Sequence, residues 1–279
     1  MRPRHLSIPA PIRVTRRLHR LATIGLCATT LPLTAQTAPY DVQAFRPVLD
    51  ESKLQAPSSS PAKIEQGDFA GQSNEFFFLD PTGQYLTFTV TGDSKRSELR
   101  QMSGDWDTAT DTPVGMAARV KVYVPETPEL QQYTFLQIHD TTDDPGALNK
   151  PLLRVTRRGD YRKTRDHLWA HVRVPADPDQ PISSENLDTE NVDLGPRPEG
   201  FFDAQITVHQ GRLVLTIDGQ TKLDKDVSYW NGLNNYFKAG VYNQDPGTSK
   251  VEFESLRYFS GETPDDSAAT AHDDAKEPE

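Results

Sequence analysis

Apolar residues in this chain recur with a period of two, in short runs between turn signals, and helical periodicity is hard to find. Tyr85-Leu86-Thr87-Phe88-Thr89-Val90 alternates strictly, as a half-buried strand does. Met116 to Val124 reads the same way and is closed by Pro125. Further runs are Tyr133–His139, Leu152–Thr156, His167–Val174, Ala204–Val208, Leu213–Ile217, Tyr236–Tyr242 and Val251–Phe259. Gln210-Gly211 and Asp218-Gly219 supply hairpin turns. Many short strands, 22 prolines and no convincing helix predict an all-β sandwich or jelly roll. No internal repeat is visible.

The two ends have a different character. Six arginines and no acid occupy the first 20 residues, an apolar stretch runs from Leu21 to Leu33, and small residues follow at Ala35 and Ala38. This order predicts a signal peptide over residues 1–35 and a secreted or periplasmic protein. The apolar stretch is too short to span a membrane. The single cysteine, Cys27, lies inside it, so the mature chain is expected to have no disulfide, thiolate nucleophile or cysteine-bound metal. Residues 261–279 hold seven acids and one lysine and predict a disordered acidic tail. Residues 36–260 are left for one domain, expected to be monomeric. The chain's net charge is -10. The +6 leader and the -6 tail cancel, so the domain also carries about -10. That argues against nucleic acid as a partner. A polyanion would have to bind in a local basic groove, against the net field. Pro57 to Pro61 reads as a linker-like patch. Asp140 to Lys150 is a polar loop placed where lids occur.

Three strands carry unusual chemistry. In Lys95-Arg96-Ser97-Glu98-Leu99-Arg100, alternation puts Arg96, Glu98 and Arg100 on one face. Two guanidiniums around a carboxylate form a partly neutralised cationic row that matches carboxylate geometry; a solvated face of alternating charge would read the same. In Tyr133–His139, Phe135, Gln137 and His139 share a face, where a glutamine and a histidine could reach one small substrate. In Asn235–Gln244, Tyr236, Lys238, Gly240, Tyr242 and Gln244 share one face, and Phe237, Ala239 and Val241 share the other. The apolar set suits a core. Gly240 would leave room for a ligand. His167, His171 and His209 read as structural or exposed.

Together the segments R-S-E-L-R (96–100), Q-I-H (137–139) and Y-F-K-A-G-V-Y-N-Q (236–244) resemble the three motifs of polysaccharide lyase family 7, the alginate lyases, in the family's order. The likeness runs from about Phe76 to Phe259. It implies a β-jelly roll of two antiparallel sheets with a concave substrate cleft, alginate as polymeric substrate, and neither cofactor nor metal. It also implies His139 as general base, Tyr242 as general acid, and Gln137 with Arg96 or Arg100 as neutralisers of the uronate carboxylate. Lys238, Tyr236 and Gln244 would hold neighbouring sugars, and Glu98 would orient the arginines. Isoleucine in the middle of Q-I-H goes with guluronate-containing blocks in this family, so Ile138 leans that way.

The implied reaction removes a proton from the carbon beside a carboxylate, and donors on that carboxylate stabilise the charge that develops. Three rivals remain open from sequence: a lyase for another polyuronate such as glucuronan, a non-catalytic carbohydrate-binding module, and a glycoside hydrolase. The hydrolase would need two carboxylates across the scissile bond, and the acids sharing a strand face are Glu252 and Glu254.

Overall fold

The computed structural model describes residues 37–141 and 146–261. The signal-peptide region and all of the acidic tail after Gly261 lie outside the described residues. Among the described residues the strands are β1 (Ser52–Gln55), β2 (Phe77–Leu79), β3 (Leu86–Thr91), β4 (Arg96–Gln101), β5 (Trp106–Asp107), β6 (Val114–Val122), β7 (Gln132–Asp140) and β8 (Pro151–Tyr161), followed by β9 (Thr164–Val174), β10 (Asp188–Pro196), β11 (Phe202–His209), β12 (Arg212–Ile217), β13 (Gln220–Asp226), β14 (Asn234–Asn243) and β15 (Thr248–Ser260).

They form two antiparallel sheets. One runs β1-β4-β14-β7-β8-β9-β10, with β5 pairing β14; the other runs β13-β12-β11-β6-β15-β3-β2. Each alternating run in the sequence is a strand here. The additional strands are short or polar. β10 and β13 lie at sheet edges, where polar side chains discourage pairing with another chain, so neither carries an apolar period. The inner faces meet in one core, for example through Phe135 of one sheet on Phe202 of the other (6.3 Å, nearly perpendicular). The segment before Phe76 also contributes. Helix α1 (Arg46–Asp50) and the turn before it bury Phe45, Val48 and Leu49. Five residues are too few for a helical period to show in sequence.

Two sequence expectations are corrected. Phe135 does not share a face with Gln137 and His139. The β7 register slips around it: against β8, Thr134 pairs Thr156 and Leu136 pairs Val155, which leaves Phe135 as one residue too many, and against β14 the pairing also shifts between Leu136–Ala239 and Thr134–Tyr242. This extra residue is a β-bulge, which reverses the side-chain alternation and sends Phe135 into the core. Gly240 lies across from that bulge with φ +141° and faces the neighbouring backbone rather than leaving room for a ligand. A Cβ there would stand 2.1 Å from the Ser97 carbonyl oxygen and 2.8 Å from Glu98 Cα. The glycine lets β14 and β4 approach at the point where Glu98 is held.

Candidate active site

The three motif strands are neighbours, in the order β4-β14-β7. Register pairs Lys238 with both Arg100 and Gln137, Tyr242 with Arg96, and Tyr236 with His139. Residues far apart in sequence therefore form one patch.

Its hub is Glu98, about 1% exposed. One carboxylate oxygen lies 2.9 Å from Lys238 Nζ and 3.4 Å from Arg96 Nη1. The other accepts a hydrogen bond from Gln137 Nε2. A buried carboxylate is tolerated only when paired and hydrogen-bonded, and here three partners meet that need. Burial pulls the Lys238 ammonium below the usual lysine range, opposed by Glu98. An amide nitrogen carries two hydrogens, so Gln137 retains one beyond its bond to Glu98.

His139 stands beside this hub. Its ring stacks on Tyr236 (5.5 Å, 19°). Burial first, then the Lys238 charge, lowers its pKa from 6.5 to about 4, so the imidazole is neutral at neutral pH. Its Nδ1 lies 2.8 Å from the backbone oxygen of Asp140. A carbonyl only accepts, so Nδ1 carries the hydrogen and Nε2 is left with a free lone pair. The Asp140 side chain is fully buried and accepts backbone N–H groups of Leu148, Asn149 (3.0 Å) and Lys150 (2.7 Å). It ties the far end of the polar loop down next to the histidine. In sequence it looked like the start of that loop and nothing more.

The arginines separate. Arg96 lies over the Tyr242 ring at 4.2 Å and reaches Glu98, while Arg100 lies over Tyr236 at 4.1 Å. Arg96, Arg100, His139, Tyr236 and Lys238 line one open cavity of about 370 Å³. Gln244 is not brought to it: its amide is spent on the Tyr242 carbonyl (2.8 Å) and the Thr134 hydroxyl (3.2 Å). The same cavity is walled by Lys53, Gln55, Ser59 and Ser60. The patch that read as a linker is therefore a wall. Gln55 Nε2 holds the Ser59 carbonyl (2.9 Å), and Arg96 N–H holds that of Pro57 (3.1 Å). Its Pro-Ser composition gave only the turn signal, because the partners are on distant strands.

The acids considered for hydrolysis are elsewhere. Glu252 and Glu254 lie on β15 in the other sheet, paired with Lys250 (2.6 Å) and Arg119 (2.6 Å). His171 is buried, as expected of a structural histidine, and His167 and His209 bond Asp193 (2.8 Å) and the Asp111 carbonyl (3.0 Å).

A family model described as alginate lyase matches residues 48–260. The chain belongs to the alginate lyase family. Among curated members, an alginate lyase of Photobacterium sp. (strain ATCC 43367) is 31% identical over 247 residues, 79% of this chain and 87% of that protein. Among solved structures, alginate lyase AlyC3 matches with TM-score 0.72 and 28% identity over 82% of this chain and 97% of its own. A second AlyC3 structure, in complex with dimannuronate, matches with TM-score 0.72 and 27% identity, over 82% and 96% of the two chains. Alginate lyase AlgAT5 of polysaccharide lyase family 7 shares the fold, with TM-score 0.60 and 19% identity over 81% of this chain and all of its own. Membership in this family of polysaccharide lyases agrees with the motif resemblance, and the matched span takes in β1 and the cavity wall.

Proposed function

We propose that the protein is secreted or periplasmic and cleaves alginate, as a monomer, by β-elimination. The observation that carries this reading is the neutral His139, its Nδ1 hydrogen committed to a carbonyl and its Nε2 lone pair free, beside Arg96, which also lies on Tyr242. In the proposed step, Arg96 and the second amide hydrogen of Gln137 hold the uronate carboxylate. His139 Nε2 takes the proton from the carbon next to that carboxylate. The electron pair of the broken C–H bond forms a carbon–carbon double bond as the glycosidic C–O bond breaks. The Tyr242 phenol gives its proton to the departing oxygen. No water is consumed, and the product carries a double bond conjugated to its carboxylate. Donors aimed at charge that develops in the transition state are worth about 10²–10³ in rate each. Arg96 is preferred to Arg100 for the carboxylate because Arg96 touches both Glu98 and Tyr242, while Arg100 is stacked on Tyr236. Tyr236 and Lys238 are assigned to neighbouring sugars and to holding the hub.

The block preference proposed is for guluronate-containing segments, on the strength of Ile138, which lies in the core directly behind Gln137 and His139. The test is ultraviolet absorbance with guluronate-rich, mannuronate-rich and glucuronan substrates. A rise with alginate that His139→Ala lowers at least about a hundredfold supports elimination with His139 as base. A faster rise on mannuronate-rich blocks would overturn the block preference alone. A rise only with glucuronan would replace the substrate. No rise with any polymer from folded protein would sink elimination.

A further inference from the structure

β7 ends on a buried carboxylate, Asp140. By alternation it lies on the side of Ile138, away from Gln137 and His139, where a charge is costly unless it is held. The main chain holds it. Asp140 Oδ2 accepts the N–H groups of Leu148 and Asn149, and Oδ1 accepts that of Lys150 (2.7 Å). The Asp140 N–H donates to the Lys150 carbonyl (3.2 Å), and the Thr141 N–H donates to the Asn234 carbonyl of β14 (2.8 Å). The strand end is thus tied on both flanks. All three groups bonded to the carboxylate are donors, which suits an ionised acid. Burial pushes its pKa up, and the three N–H groups act in the opposite direction. Among the described residues no lysine or arginine forms an ion pair with it. Its Oδ1 instead lies 3.6 Å from His139 Nδ1.

Two oxygens of one residue therefore address the same ring nitrogen. The backbone oxygen at 2.8 Å takes the Nδ1 hydrogen, and the carboxylate stands behind it as an anion. Taking a proton at Nε2 turns the ring into a cation. Lys238 and Arg96 oppose that cation and Glu98 favours it, but Glu98 is already bound by Lys238, Arg96 and Gln137. Asp140 is the carboxylate on the Nδ1 side of the ring. Acceptors fixed at Nδ1 also exclude the tautomer with its hydrogen on Nε2, which could take no proton there.

We propose that Asp140 is a positioning residue for His139: anchored by the main chain of residues 148–150, its carboxylate keeps the ring hydrogen on Nδ1 and stabilises the imidazolium that forms when Nε2 takes the proton. In that step the C–H bond breaks, the Nε2–H bond forms and Asp140 stays ionised. This rests on the reading of His139 as the base of elimination. A loop cap alone needs acceptors but no charge, and asparagine serves well as a cap. The test is therefore Asp140→Asn, read by ultraviolet turnover on alginate and by nitrogen NMR of the His139 ring, with His139→Ala identifying its signals. With the amide oxygen kept on the Leu148 and Asn149 groups, the amide hydrogens replace Oδ1 and turn a donor toward Nδ1. The value of kcat should fall at least about tenfold with KM within about twofold. The ring, Nδ1–H in the parent, should show the Nε2–H form. A variant that melts lower but keeps kcat and the Nδ1–H tautomer would overturn the proposal and leave Asp140 as a loop cap, as would a loss confined to KM. Should Asp140→Asn not fold, Asp140→Ser, smaller and still able to accept an N–H, carries the same kcat and KM test. If the parent gives no absorbance rise with any polymer, the elimination reading fails, while the tautomer comparison still decides whether Asp140 sets the ring.

Discussion

The centre on β4, β14 and β7 and the hairpin of β8 and β9 share one sheet face but treat charge in opposite ways. At the centre, Glu98 ties Lys238, Arg96 and Gln137 into one buried unit. On the hairpin, Arg158 and Arg162 are stacked on aromatic rings and, among the described residues, neither joins an ion pair. Pairing gives fixed geometry, which bond-making requires. The difference teaches that the two cationic regions are not interchangeable, although in composition both are simply Arg-rich.

The sharpest way to break the comparison is Glu98→Ala. It leaves the Lys238 ammonium buried without a partner, a situation that costs about 3–5 kcal/mol. Chemical denaturation should show that loss, and turnover on alginate should fall with it. Hairpin substitutions such as Arg158→Gln should lower stability by less than about 0.5 kcal/mol or raise it. Comparable losses at the two regions would remove the distinction.

Acid should stress both regions together. His139 at the centre and His171 on β9 of the hairpin each have a pKa lowered by burial from 6.5 to about 4. The unfolded chain therefore takes up these protons first as the pH falls below about 6.5. Stability should be flat above that value and drop between about 6.5 and 4, by about 2 kcal/mol per histidine at pH 5. Melting curves across this range check it, and His171→Gln should remove about half of the drop. The base role adds a separate expectation. Because His139 must be neutral, the acid limb of turnover should lie near pH 4 rather than near 6.5.

A smaller effect is expected at Gly240. Substitution by alanine forces a side chain into φ +141°, a strain of about 1–3 kcal/mol, and pushes on the Ser97 and Glu98 backbone. Activity should fall by more than the stability change accounts for, since the displaced group is the hub. An equivalent change at Gly219, which has open space around it, should leave activity alone.

Much of this was legible in the chain. Strand faces follow from local alternation, so β4 and β14 present Arg96, Glu98, Arg100, Tyr236, Lys238 and Tyr242 together as read. His139 and Gln137 also share a face as read, because both lie beyond the bulge. The family followed from three motifs in order, since each is short enough to survive in sequence. Phe135 misled because a bulge is a property of paired strands, and the register with β8 and β14 that creates it is not visible within β7. Gly240 was read as space for a ligand because its true neighbour, the Ser97 carbonyl, lies on a strand not adjacent in sequence.

The amino-acid sequence by itself determined the all-β class, most of the residues that face the cleft and the type of chemistry they suit, because side-chain direction alternates along any strand that pairs regularly. Which residues meet was decided by strand pairing. Only the tertiary structure made Glu98 the common partner of three groups, set Arg96 against Tyr242 and Arg100 against Tyr236, and turned the Pro57–Pro61 patch into a wall of the cavity. These are contacts between distant segments, fixed when two sheets close over one core, and no local pattern encodes them.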